Sequence, residues 1–148
     1  MSGFVGGAVS ASLTDAKHVV YDLGRYVRNE DEVFEEKLDW LLHFGAKTNI
    51  TSSIRDPEET YCQNLRSTLR ALGIARNSKA NLLFMSSYVY GHPVYLPIDE
   101  AHPTQTLNPY MGSKLASEIL CTHFSDLFHL PVVILRAFNI YGDLRKPG

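Results

Sequence analysis

Four short runs of nearly continuous apolar residues mark the chain: HVVYD at 18–22, LDWLLHF at 38–44, ANLLFMSS at 80–87 and PVVILRAF at 131–138. Runs without polar alternation suit strands covered on both faces. Between them the apolar spacing lengthens to that of helices. In RDPEETYCQNLRSTLRALGIARN, Asp56 can accept from first-turn amides, Pro57 suits the first helical position, and Glu59 completes a capping box. Tyr61, Leu65, Leu69 and Leu72 then form one apolar stripe. A further helix is predicted from about Asn108 to Phe128, with Leu115, Ile119, Leu120, Phe124 and Leu127 facing inward. Strands alternating with helices predict an α/β domain on a parallel sheet. The stretch YGHPVYLPIDEAHPTQTLNP, with its four prolines, predicts a long surface loop over the strand ends, where α/β folds line their sites.

Composition narrows the class of partner. The 148 residues are enough for one domain, 45% are hydrophobic and 20% charged, and the formal net charge is -2. Such a balance gives no attraction to nucleic acid or to an anionic membrane. No run approaches the ~20 apolar residues of a membrane span, and MSGFVGGAVSASLTDA lacks the basic start of a secretory signal. Cys62 and Cys121 stand far apart in helix-like stretches and read as reduced thiols, which points to a cytoplasmic setting. The six histidines show no metal-ligand spacing, so no metal site is expected.

Two segments carry candidate chemistry. The opening MSGFVGG is the tail of a G-x-x-G-x-x-G pattern, with Gly3 and Gly6 as its second and third glycines and Phe4 and Val5 between them. Glycines there let backbone approach a pyrophosphate at a helix N-terminus. Sixteen residues beyond Gly6, Asp22 ends an apolar run where a carboxylate can bind the adenosine ribose and repel a 2′-phosphate. Arg25 lies near enough to meet such a phosphate, so NAD is favoured over NADP without eliminating it. In NPYMGSK, Tyr110 and Lys114 stand one helical turn apart.

Taken with MSSYVYG and LRAFNIYG, these motifs resemble the extended short-chain dehydrogenase/reductase family, in particular its NAD-dependent nucleotide-sugar epimerases and dehydratases. The resemblance spans essentially the whole chain and implies a Rossmann-like, doubly wound parallel sheet. It assigns a catalytic group of Ser86, Tyr110 and Lys114, with Ser87 as the fallback for the serine. A free phenol, pKa ~10, is a poor base at neutral pH; a neighbouring ammonium and an oxidised nicotinamide both favour the phenolate. Tyr110 would then take a proton from a sugar hydroxyl while Ser86 hydrogen-bonds the same oxygen and Lys114 holds the nicotinamide ribose. The resemblance also places Phe44, Gly45, Ala46 and Asn64 beside the cofactor, lets Lys47 reach a phosphate, and sets Phe138 by the nicotinamide and Asn139 against the sugar nucleotide.

The chain departs from that pattern in three places. The expected first strand and first glycine would precede Met1, which leaves a gap in the sheet unless another segment fills it. Only twenty residues separate Asp22 from His43, so the third-strand region is expected to shrink to one short helix around Asp31 to Glu36. Family members also continue into a smaller substrate-binding domain, so residues 1–148 are expected to form a partial NAD-binding Rossmann domain without it. Dehydratases of the family place Asp and Glu directly after the catalytic Ser/Thr, whereas here Ser87 and Tyr88 stand there, which argues against 4,6-dehydration. The expected activity is therefore epimerisation of a nucleotide sugar, a UDP-sugar by preference, through a transient keto intermediate. A 4-keto-sugar reductase and a non-catalytic dinucleotide-binding remnant are the alternatives. The resemblance further implies a homodimer through helices 57–77 and 109–128.

Overall fold

A computed structural model describes residues 3–24 and 34–142. In chain order the elements are α1 (Phe4–Asp15), β1 (Trp40–His43), α2 (Ile50–Arg55), α3 (Pro57–Ser78), β2 (Asn81–Met85), α4 (Pro109–Phe128) and β3 (Val132–Leu135). The three strands are parallel, in the order β1-β2-β3. Each crossover carries helix, as parallel neighbours require.

Register explains the core. Leu41 pairs with Leu82 and Leu82 with Val132; one row on, His43 pairs with Phe84 and Phe84 with Ile134. These two rows turn toward α3 and α4. Leu82 and Phe84 are fully buried and join Leu72, Ala71, Ala75 and Cys121 in one cluster, with Val132 and Ile134 packed against it. The other sheet face is apolar but open among the described residues, with Val133 and Leu135 about half exposed.

The long helices begin where capping chemistry predicts. The Asp56 carboxylate accepts the Glu59 amide at 3.0 Å ahead of Pro57, and the Asn108 side chain accepts the Met111 amide at 2.9 Å ahead of Pro109. Their inward faces differ from the apolar count. Ile119 and Leu127 are exposed, as is Leu69, whereas Asn64, Thr68, Ser113, Lys114, Ser117 and Glu118 are buried. The helices meet through a polar seam: Asn64 Nδ2 donates to Ser113 Oγ at 2.8 Å, and the Thr68 and Ser117 hydroxyls lie 3.2 Å apart. Once such groups pair across the seam they can be buried, and the bulkier aliphatics are left outside.

The run at 18–22 is not a strand. Val19 is mostly exposed and Tyr21 partly so. A strand exists through its ladder, and no described neighbour offers one here. The short helix expected around Asp31 to Glu36 lies outside the described residues as far as residue 33, and residues 34–36 are not helical. Upstream, Gly3 caps α1 directly, so Gly6 falls inside the first helical turns rather than in a loop before them. The proline-rich stretch does form a long connection without helix or strand.

Gly91 shows how that connection is turned. Its φ is +65°, and a Cβ there would lie 2.7 Å from the Gln105 carbonyl oxygen, in a place where the Gln105 amide bonds Val89 at 2.9 Å. Gly91→Ala combines a left-handed backbone with a clash against main chain. It is expected to cost roughly 2–4 kcal/mol, readable as a lower urea midpoint at unchanged slope; an unchanged midpoint would refute the assignment.

Candidate active site

The C-terminal ends of β1 and β2, the chain following β3, and the first turns of α1 and α4 converge on one open cleft of about 160 Å³. Among the expected residues it brings together Val5, Phe44, Ala46, Ser86, Tyr110, Lys114 and Phe138. Ser87 lines it too, and so do Thr48, Met85, Ala137 and Ile140, which the sequence did not single out. Gly3, Phe4, Gly6, Asp22, Gly45, Asn64 and Asn139 are not in its wall. Asp22 is exposed and accepts the Gly24 amide at 2.9 Å.

Ser86 is fixed by backbone just past the end of β2. Its amide donates to the Leu135 carbonyl at 2.8 Å, which carries the ladder one step beyond the strands, and its side chain is buried. Tyr110 and Lys114 ride the first turns of α4, held by the Asn108 cap, while Ser113 between them returns a hydrogen bond to the Tyr110 carbonyl at 2.7 Å.

Asn64 works behind the wall rather than in it. Its Oδ1 accepts the Lys47 amide at 2.7 Å, and its Nδ2 donates to the Lys47 carbonyl and to Ser113 Oγ. One side chain therefore ties the 44–48 segment to the helix of Tyr110 and Lys114.

Lys114 is buried, with its ammonium 4.0 Å above the centre of the Phe84 ring. The ring face attracts the cation, but burial outweighs that and lowers the lysine pKa to about 8. Its ammonium makes no hydrogen bond among the described residues, so donors are left for a ligand. Beneath it, His43 is buried against Phe84 and held neutral, its pKa lowered to about 3 by burial and then by the Lys114 charge. Nothing in the residue pattern marked His43, which had no ligand spacing and sat in an apolar run.

Phe138 rests on a ring stack. Tyr88 meets it edge to face at 5.0 Å and Tyr90 lies beneath it at 6.2 Å, while the Tyr88 hydroxyl donates to the Gly91 carbonyl. Glu118 and Arg136, also unmarked by sequence reading, form an ion pair of 2.8 Å behind Ser86. The signal for Glu118 was its spacing, one further turn along α4 from Lys114. Among the described residues no cluster of His, Cys, Asp or Glu could hold a metal ion, and no helix is long and apolar enough to cross a membrane.

The model of the NAD dependent epimerase/dehydratase family matches residues 1–148, and the chain belongs to that family. A UDP-glucose 4-epimerase from Corynebacterium glutamicum is 31% identical across 100% of this chain and 45% of its own. Among solved structures, RMD from Pseudomonas aeruginosa complexed with NADPH superposes with a TM-score of 0.81 at 32% identity, covering 97% of this chain and 52% of that one. The UDP-glucose 4-epimerase from Brucella ovis in complex with NAD gives 0.65 at 33% identity, covering 68% and 32%. The chain thus spans about a third to a half of the length of these relatives.

Proposed function

We propose that the chain is the cofactor-binding part of an NAD-dependent nucleotide-sugar epimerase, acting on a UDP-sugar through a transient ketone. The observation that carries this is the meeting of Ser86, Tyr110 and Lys114 at one cleft. The wall fits a dinucleotide's nicotinamide end. Val5, Ala46 and Ala137 are small, Phe44 and Phe138 offer flat surface, and the Lys114 ammonium has donors free for ribose hydroxyls. The bound cofactor supplies the acceptor and donor of hydride. Tyr110 removes and returns the proton of the sugar hydroxyl, and Ser86 donates a hydrogen bond to the same oxygen.

The outer residues have supporting roles in this reading. Gly3, Phe4 and Gly6 bring the start of α1 to the pyrophosphate, Asp22 takes the adenosine ribose, Gly45 passes close to the cofactor, and Asn139 meets the sugar nucleotide. Among the described residues no carboxylate lines the cleft, and Tyr88 is tied to Gly91, which favours epimerisation over elimination of water. A 4-keto-sugar reductase would use the same three residues, and the likeness to an NADPH complex keeps that reading second. Residues 1–148 would be a partial Rossmann domain of a cytoplasmic homodimer, with Leu69, Ile119 and Leu127 exposed on the helices that would pair.

Calorimetric titration with NAD and NADP tests the cofactor assignment. Saturable binding with NAD the tighter is expected, and Asp22→Ala should narrow the ratio of the two affinities severalfold. No heat with either dinucleotide would sink the proposal, and an unchanged ratio in the variant would remove Asp22 from it.

A further inference from the structure

The serine on the cleft floor is the outer end of a buried polar chain. Ser86 Oγ donates to Glu118 Oε1 at 2.5 Å, and both side chains are buried. Arg136 wraps the same carboxylate: Nε lies 3.1 and 3.2 Å from its two oxygens and Nη2 2.8 Å from Oε2. The remaining arm, Nη1, donates to the Tyr90 hydroxyl at 3.2 Å, under the ring stack that carries Phe138. Carboxylate and hydroxyl bonds together hold the guanidinium firmly protonated.

A serine hydroxyl has one proton and two acceptor positions. Donation to an ionised carboxylate is about twice as strong as donation to a neutral oxygen. In this structure the Ser86 proton is directed inward, and the bond fixes where Oγ stands at the cleft; rotation about Cβ–Oγ is enough to turn that proton to an oxygen in the cleft. Tyr110, Lys114 and Glu118 follow one another at four-residue steps on α4, so the helix that carries the first two also fixes the serine of β2.

We propose that Glu118, clamped by Arg136, is a positioning residue for Ser86: it accepts the serine's proton in a hydrogen bond and fixes its rotamer, so that the hydroxyl stands ready to exchange that bond for one donated to the sugar oxygen as Tyr110 takes its proton. This rests on the enzymatic reading above. The ion pair reaches both walls at once, the hydroxyl through Glu118 and the aromatic platform through Tyr90.

The test is a double-mutant cycle in the full chain with Glu118→Gln, Ser86→Ala and their combination, measured in urea unfolding and in turnover of UDP-glucose with NAD. Glu118→Gln is expected to lower kcat about 10- to 100-fold with KM changed less than about threefold, and to cause no further loss when Ser86 is already Ala. The unfolding midpoints should be coupled in the same sense. If the two kcat losses multiply, or if Glu118→Gln keeps full kcat, the proposal is overturned and the pair only braces the fold. Should Glu118→Gln not fold, Arg136→Lys, which keeps the charge and loses the fork, takes its place in the cycle. Absence of turnover in the unaltered chain would count against the enzymatic reading; the unfolding cycle then decides alone, with independent midpoints overturning the held serine and coupled ones upholding it.

Discussion

Tyr110→Phe should abolish most turnover while leaving the cofactor in place. The substitution removes one oxygen from a residue set by the Asn108 cap and by Ser113, and neither contact uses that oxygen. The fold should not register the change. A side chain that moves a proton in the transition state contributes typically ~10²–10⁴-fold to rate, so kcat for a UDP-sugar should fall by that order while the NAD affinity shifts less than about threefold. Reading both quantities separates chemistry from binding. A variant with undiminished kcat would remove Tyr110 from the proton's path, and equal loss of kcat and NAD affinity would make it a binding residue.

Acid should begin to weaken the fold below about pH 6.5, before the carboxylate range is reached. His43 is neutral when folded, with a pKa near 3, whereas the unfolded chain gives it the ordinary 6.5. Between those values the unfolded state binds a proton that the folded state refuses. Stability is thus complete above about pH 6.5 and is lost progressively toward pH 3, by up to about 4–5 kcal/mol in all. That is comparable to the whole stability of a marginal domain, ~5–15 kcal/mol. Lys114 stays charged throughout this window, so its repulsion on a protonated His43 is constant. It adds a dependence of the same sign at the alkaline end: with its pKa lowered to about 8, stability should rise again as pH climbs from 8 toward 10.5. Urea unfolding at steps from pH 7.5 to 4.5 should show the acid slope, and His43→Leu should flatten it. The same slope in both proteins would clear His43.

The sequence made the strands at 40–43, 81–85 and 132–135 legible because each lies in a nearly continuous apolar run set between helical spacings. The helix starts were legible because capping is local: Asp56 and Asn108 act within their own first turns. The run at 18–22 has the same residue types yet forms no strand, since apolar composition cannot provide a partner to pair with. Helix faces misled for a related reason. Counting apolar residues places Ile119 and Leu127 inside, but complementarity between two helices decides, and here Asn64 meets Ser113 while Thr68 meets Ser117. In the cleft, Ser86, Tyr110 and Lys114 were found by motif, and Val5, Phe44, Ala46 and Phe138 by their place beside motifs. His43, Glu118 and Arg136 act through burial and pairing across the fold, which the linear order of the chain does not display.

The polar seam between α3 and α4 has a consequence for how the two helices can slide. A greasy interface would tolerate displacement by a turn, about 5.4 Å, with little change in energy. Here the same displacement would separate Asn64 from Ser113 and Thr68 from Ser117, and buried groups left unmatched cost about 1–3 kcal/mol each. The seam is a ratchet with one low position. Because the 44–48 segment hangs from Asn64 and Tyr110 and Lys114 ride on α4, that single notch also sets how deeply the lysine sits in the cleft.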